Sequence, residues 1–187
     1  MSLSPVTPAA DPTDADLPPL GATPPGLYRH YKGGWYAVID TVRCSETLQG
    51  MTVYRALYGG FGLWVRPAAM FNQSAEFEGR HQRRFVLWDP AEVPLADLPT
   101  AHALVAFLRD QAQRRGMDLD TALRPPPPEP TTCCGRGCNG CVWEGFYNAM
   151  AYWRDDAIEL IINRTGLPAP SALPAGSGSG PAVHDPG

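Results

Sequence analysis

The chain has 187 residues, of which 44% are hydrophobic, so it can bury a core and global disorder is excluded. Its net charge of −4 conceals a local reversal, because residues 27–87 contain eight cations and four anions and carry +4. No run of residues approaches the roughly 18 consecutive apolar positions of a membrane span, which argues against a helical membrane protein.

The first 26 residues are predicted to form a disordered tail, since prolines and aspartates dominate them. They lack the basic start and the apolar run of a secretory signal. We therefore expect a cytoplasmic protein without membrane association. In that compartment thiols stay reduced unless they bind metal or take part in redox chemistry.

Residues 27–87 contain short apolar and aromatic runs separated by turn signals, a pattern typical of a small all-β unit. A two-residue hairpin turn is predicted at Gly33-Gly34, and a single helical turn over 68–71. Five short strands favour a closed barrel, because an open sheet would leave edges to cover. The predicted strands cover residues 27–32, 35–42, 51–56, 63–66 and 84–87.

The predicted barrel carries aromatic side chains beside cations. Such a surface could stack bases while guanidinium groups hold phosphates, or it could hold a proline-rich or acidic peptide in a surface groove. A third interpretation is that the rings fill the barrel and the arginines are solvated. The candidate partner-binding residues are Tyr31, Arg55, Tyr58, Trp64 and Arg66.

The second half of the chain is predicted to be helical. Residues 88–124 form a connector with an amphipathic helix, for which Thr100 is the predicted N-cap and Gly116 the terminator. The four prolines at 125–128 indicate a semi-rigid polyproline spacer. A long amphipathic helix is expected over 142–163, closed by Gly166, and residues 167–187 are predicted to be a disordered tail.

Four of the five cysteines fall within nine residues, and the glycines between them let the backbone turn several sulfurs toward one point. The last two are separated by the two-residue gap usual for paired metal ligands. We predict that the group binds Zn²⁺ or an iron–sulfur cluster. The alternatives are a redox-active dithiol and reduced thiols with a structural role. The predicted ligands are Cys133, Cys134, Cys138 and Cys141; the fifth cysteine, Cys44, is expected to be buried.

Two segments resemble known families. The sequence PPPEPTTCCGRGCNGCVWEGFY, within residues 125–156, resembles the oxidoreductase-like domain, which implies a small cysteine-bearing module rather than a particular reaction. The motifs YRHYKG (28–33), VYRALYG (53–59) and LWVRP (63–67) resemble a bacterial SH3-like domain family of unknown function. That resemblance implies a fold and no activity.

Together these observations predict a mixed fold class: a disordered tail, an SH3-like β-barrel over 27–87, the connector, and a four-cysteine module over 125–166. We expect a binding or adaptor protein, with no catalytic residues identified and an unknown protein partner favoured. A redox protein that uses the cysteines and a nucleic-acid-associated barrel are the alternatives.

Overall fold

The computed structural model describes residues 17, 19–132 and 141–165. An antiparallel sheet region is followed by helices, so the predicted mixed class is confirmed. In the described part of the chain no helix is long and apolar enough to cross a membrane. The strands are β1 (Gly26–His30), β2 (Trp35–Arg43), β3 (Gly50–Ala56), β4 (Leu63–Pro67), β5 (Ser74–Phe77), β6 (Arg80–Arg83) and β7 (Phe85–Trp88), and the helices are α1 (Ala68–Asn72), α2 (Leu98–Arg114), α3 (Leu119–Ala122) and α4 (Val142–Thr165).

The five predicted strands form one sheet in the order β4-β3-β2-β1-β7, with all neighbours antiparallel. The predicted barrel is wrong, because this sheet is not closed: β4 and β7 are its two edges. Closure is unnecessary for burying the sheet, since α2 covers one face and α1 the other.

Two local turns differ from prediction. The β1–β2 connection is a four-residue loop, in which the His30 N–H donates to the Gly34 carbonyl over 2.8 Å. The sequence pattern also missed the separate β5–β6 hairpin, whose strands are short and polar. Its turn residues Glu78 and Gly79 both have positive φ, as a type I′ hairpin turn requires.

One face of the sheet shares a continuous hydrophobic core with α2 and α4. Leu27, Trp35 and Ala37 contribute from the sheet. The Trp35 indole donates a 3.0 Å hydrogen bond to the buried Thr100 hydroxyl on α2. The α4 residues in this core follow helical spacing: Phe146, Met150, Trp153, Ala157 and Ile161. The sheet and the segment after the prolines are therefore one packed unit.

Thr100 is not the N-cap of α2. Asp97 occupies that position, and its carboxylate accepts the Thr100 N–H over 2.7 Å. The Thr100 hydroxyl instead accepts the hydrogen bond of the Trp35 indole in the core. Gly116, with φ +73°, follows the end of α2 as predicted.

The proline segment packs against the helices and is not a free spacer. The Trp153 indole donates to the Arg124 carbonyl over 2.9 Å. Pro126 and Pro127 line a cavity with side chains of α2 and α4. Glu129 is hydrogen-bonded to the imidazole of His102 on α2 over 2.6 Å.

The opposite face of the sheet carries a second, aromatic core. Phe71 of α1 stacks on Phe85 with ring centroids 4.0 Å apart, and Tyr28 and Tyr54 contact Phe71 at 5.4 Å. Part of the predicted tail also packs here, because Thr23 is buried and hydrogen-bonded to Thr52 over 2.7 Å. Residues 1–16 and the predicted tail over 167–187 lie outside the described residues.

Candidate anion-binding site

A histidine surrounded by aromatic rings lies at the end of β1, on the face that carries the aromatic core. His30 is opposite Phe85 of β7 in the strand register, and their ring centroids are 4.7 Å apart. The rings of Tyr31 and Tyr36 lie 4.2 Å and 6.3 Å from the imidazole. Because successive residues of a strand face opposite sides, His30 and Tyr28 share this face whereas Arg29 points to the other.

Three cations act on this histidine: Lys32, Arg66 and Arg84. The Arg66 guanidinium lies 6.0 Å from the centroid of Phe85, and the Lys32 ammonium lies 5.8 Å from that of Tyr31. The backbone of Arg84 is anchored on both sides, since its carbonyl accepts the Tyr31 N–H and its N–H donates to Gln73. We name the group of His30, Tyr31, Lys32, Tyr36, Tyr58, Arg66, Arg84 and Phe85 the basic–aromatic cluster.

The cations of the cluster have no counter-ion within the described residues. No described carboxylate lies within ion-pair distance of Lys32, Arg66 or Arg84. The ion pairs among the described residues all lie in the helical half of the chain. The Arg84 Nε atom is buried and has no hydrogen-bond partner among the described residues. A buried charged donor without a partner is costly, so an anion bound here would be stabilised.

The surroundings of His30 keep its imidazole neutral near pH 7. Burial lowers the pKa from 6.5, and the positive charges of Arg84, Arg66 and Lys32 lower it further. The Lys32 N–H donates to Nδ1 over 3.3 Å. A neutral imidazole with Nδ1 as acceptor carries its proton on Nε2, and that N–H is a donor that an anion could use.

Two tyrosines of the cluster, Tyr36 and Tyr58, lie at its edge. The hydroxyl groups of Tyr36 and Tyr58 are 2.5 Å apart and hydrogen-bonded. Burial raises the pKa of Tyr36, and the hydrogen bond to Tyr58 raises it further, so the phenol stays protonated. Tyr58 is 49% exposed and presents its ring to solvent at the edge of the cluster.

The structure brings together three of the five predicted partner-binding residues, namely Tyr31, Tyr58 and Arg66. Trp64 lies on the same face of β4 as Arg66, two residues away, with 59% of its surface exposed. Arg55 is on the opposite face, where its guanidinium donates to the Phe61 carbonyl over 2.7 Å.

Sequence reasoning missed the other members of the cluster. The period-2 pattern of β1 and β2 could have placed His30 and Tyr36 on one face. The contribution of Arg84 depends on β7 returning beside β1, which no local pattern shows.

The predicted metal ligands are only partly described. Cys141 is half-buried directly before α4, and its carbonyl accepts the Gly145 N–H over 3.0 Å. Cys133, Cys134 and Cys138 lie outside the described residues. Within the described ranges no group of three or more His, Cys, Asp or Glu side chains could hold a metal ion.

Cys44 is half-exposed rather than buried as predicted. It begins the turn between β2 and β3, in which the Leu48 N–H donates back to its carbonyl. Hydrogen bonds from the Thr47 side chain and from the Thr47 and Glu46 backbone lower the pKa of its thiol. A position at the start of a polar turn explains why the thiol is not in either core.

Comparisons with known families agree with both resemblances. Residues 26–87 match DUF1653, a protein family of unknown function, and residues 121–160 match the oxidoreductase-like protein, N-terminal family. The chain contains a DUF1653 domain followed by an oxidoreductase-like domain. A crystal structure of a DUF1653 protein from Bordetella bronchiseptica is 32% identical over 35% of this chain and 87% of that one, with a TM-score of 0.34. No curated protein matches the chain.

The basic–aromatic cluster therefore lies entirely in the DUF1653 domain. The oxidoreductase-like domain supplies the proline segment and most of α4, whose apolar side packs into the core under the other face of the sheet. The two domains meet on the face opposite the cluster. The described part of the oxidoreductase-like domain therefore does not cover the face that carries the cluster.

Proposed function

We propose that this protein is a non-enzymatic binding or adaptor protein whose DUF1653 domain recognises an anionic segment of a partner protein. The observation that carries this proposal is the positive charge of Lys32, Arg66 and Arg84 around His30, which no described carboxylate neutralises. A run of Asp or Glu, or a phosphorylated side chain, would supply the missing acceptors. Guanidinium groups can bind a carboxylate or a phosphate through two parallel hydrogen bonds.

The aromatic rings favour binding in two ways. The rings of Phe85 and Tyr31 lie 6.0 Å and 5.8 Å from the Arg66 and Lys32 charges, so a ligand held by these cations would also contact apolar ring surface. They also hold the imidazole of His30 between Tyr31 and Phe85, so that little ordering is required when a ligand arrives. The cluster is thus preorganised for an anion.

The same geometry argues against acid–base catalysis at His30. A histidine base is usually oriented by a carboxylate that stabilises its protonated form. The charged groups that act on His30 here are all cations, and they disfavour protonation. A role as a neutral hydrogen-bond donor fits these surroundings better.

A single-stranded nucleic acid is a second candidate partner. Tyr58 and Trp64 lie on the face of the cluster with 49% and 59% of their surfaces exposed, and such rings can stack bases beside phosphate-binding arginines. This interpretation predicts binding that depends steeply on salt concentration and tolerates changes of base sequence.

Fluorescence anisotropy with the full chain tests the proposal. The probes are a labelled oligoglutamate peptide, its oligoglutamine counterpart, and an oligothymidylate. Arg66→Ala should weaken binding of the acidic peptide roughly tenfold or more, the loss expected for one charged hydrogen bond. Arg29→Ala is the matched control, because it removes the same charge from the opposite face of β1.

Each outcome has a definite meaning. Preference for oligoglutamate, lost with Arg66 and retained without Arg29, supports a protein partner. Binding of the oligothymidylate but not of the oligoglutamate would indicate that the site recognises nucleic acid. Equal losses in both variants, or no binding of either anion at low salt, would refute a specific site.

We further propose that Cys133, Cys134, Cys138 and Cys141 bind a metal, Zn²⁺ or an iron–sulfur cluster, in a reducing compartment such as the cytoplasm. The support is the spacing of four thiols among glycines and the half-buried position of Cys141 at the start of a packed helix. Bound metal would tie the preceding loop to α4 and stabilise it.

Elemental analysis and a visible spectrum of the full chain, purified without oxygen, test this second proposal. Stoichiometric zinc without colour indicates a structural site, whereas iron and sulfide in brown protein would favour the redox alternative. Cys138→Ser should abolish metal binding and Cys44→Ser should preserve it. Metal-free protein with four reactive thiols in this segment would contradict the proposal.

A further inference from the structure

The β4 strand forms an open, apolar edge of the five-stranded sheet. Three consecutive side chains, Leu63, Trp64 and Val65, are 57%, 59% and 60% exposed. In the described part of the chain, β4 pairs with β3 on one side and with no strand on the other. Natural proteins usually protect such an edge with charges, bulges or a covering segment, because it attracts another strand.

The backbone groups on the free side of β4 follow from the ladder with β3. The Ala56 N–H donates to the Gly62 carbonyl over 3.1 Å, which makes this a hydrogen-bonded pair. In an antiparallel ladder such pairs alternate, so Trp64 and Arg66 also bond to β3. The N–H and C=O groups of Leu63 and Val65 therefore point away from the sheet.

We propose that β4 pairs with β4 of a second copy of this chain, antiparallel, about a two-fold axis at Trp64. Leu63 of one copy then lies opposite Val65 of the other, and each such pair exchanges two hydrogen bonds. The two Trp64 residues meet in the non-hydrogen-bonded position, where side chains are closest. All four outward backbone groups of each copy find a partner.

The residues of β4 favour this register over the two registers in which the two-fold axis lies at Val65 or at Arg66. An axis at Val65 would place Leu63 opposite Pro67, which has no N–H to donate. An axis at Arg66 would set two like charges directly opposite each other. With the axis at Trp64, Arg66 lies opposite Gly62 and the paired strip is uncharged and apolar.

A second copy is the occupant that this edge fits best, because the strip is complementary to itself. Leu63 and Val65 lie on one face of the sheet and Trp64 on the other, so the pairing joins apolar side chains on both faces. The two-fold axis closes the assembly as a dimer with one ten-stranded sheet. Both basic–aromatic clusters then lie on the same face of that sheet.

Sedimentation velocity of the full chain tests the dimer over a wide range of protein concentration. A short strand pair buries little surface, so we expect a monomer–dimer equilibrium that shifts with concentration. Val65→Lys, at a solvent-exposed position, should give a monomer throughout. Val86→Lys, at an exposed position of the other edge strand β7, should leave the equilibrium unchanged.

Cross-linking tests the register. Disulfides span Cα separations of about 4.4–6.8 Å, which matches a non-hydrogen-bonded pair. Under mild oxidation Trp64→Cys should form a covalent dimer much faster than Leu63→Cys, whose sulfur lies opposite Val65. The native cysteines are common to both variants and cancel in this comparison.

A monomer at every concentration, or a dimer that Val65→Lys leaves intact, would overturn the proposal. Faster cross-linking of Leu63→Cys than of Trp64→Cys would overturn the register and the axis at Trp64. A dimer that is sensitive to Val65→Lys but not to Val86→Lys, together with rapid Trp64→Cys cross-linking, establishes it.

Discussion

The hydrogen bond between Trp35 and Thr100 offers a direct probe of the contact between the sheet and the helices. Both side chains are 3% exposed, and the indole N–H donates to the hydroxyl over 3.0 Å. Thr100→Val keeps the shape of the side chain and removes the acceptor, which leaves a buried N–H unsatisfied. We expect a loss of about 1–3 kcal/mol in the free energy of unfolding. In a protein of this size each kcal/mol lowers the Tm by about 2–4 °C.

Chemical denaturation followed by far-ultraviolet circular dichroism and by tryptophan fluorescence measures this loss. Because the sheet, α2 and α4 share one core, both signals should report a single transition that moves to lower denaturant. Thr100→Ser is the control: it keeps the hydroxyl and loses a methyl group worth about 0.8 kcal/mol. A Thr100→Val chain as stable as the parent, or two separate transitions, would refute the shared core.

Other expected outcomes concern the cluster and the local anchors of the fold. By NMR titration the pKa of His30 should lie below 6.5, and Arg66→Ala should raise it while Arg29→Ala does not. An equal response to both would contradict the charge argument. Because the unfolded chain binds this proton more readily than the folded one, stability should fall as pH drops through 6.5, and His30→Gln should flatten that slope in denaturation curves. Asp97→Ala removes the N-cap of α2 and should cost about 1 kcal/mol in the same assay, whereas Asp110→Ala, on the exposed side of that helix, should cost less. Phe71→Ala should cost about 3–5 kcal/mol, and thermal unfolding within one degree of the parent would show that this ring is not packed as described.

The sequence predicted the elements that depend on local patterns. Alternating apolar residues and turn signals placed the five strands of the main sheet, and helical spacing placed α4 from its first residue. The same patterns do not show whether the sheet closes into a barrel or ends in two free edges. Closure of a barrel is a long-range property, and here helices α1 and α2 cover the faces instead.

The errors have physical causes that can be named. Thr100 has the chemistry of an N-cap, but its hydroxyl accepts a hydrogen bond from the Trp35 indole. The carboxylate of Asp97, three residues earlier, caps the helix. The run of prolines predicts a spacer. The Trp153 indole, however, donates a hydrogen bond to the carbonyl of Arg124, the residue before the prolines, and so holds this segment against the helices. In both cases tertiary packing overrides a local preference.

The candidate site was predicted in part. Aromatic side chains beside cations predict Tyr31, Tyr58 and Arg66 as partner-binding residues, and the structure places these three together. The same pattern predicts Arg55, which faces the other side of the sheet. His30 and Arg84 join the site only through the β1–β7 pairing, which brings together residues more than fifty positions apart.

The measurement that tests the central claim most directly is an NMR titration of the full chain with the oligoglutamate peptide. Side-chain signals of His30, Arg66 and Arg84 should shift together and saturate, and the pKa of His30 should rise, because a bound anion offsets the neighbouring positive charges. The signal of Arg55, on the opposite face, should stay in place. Shifts confined to Arg55 and α4, or none at saturating peptide, would contradict the assignment of this face as the anion-binding surface.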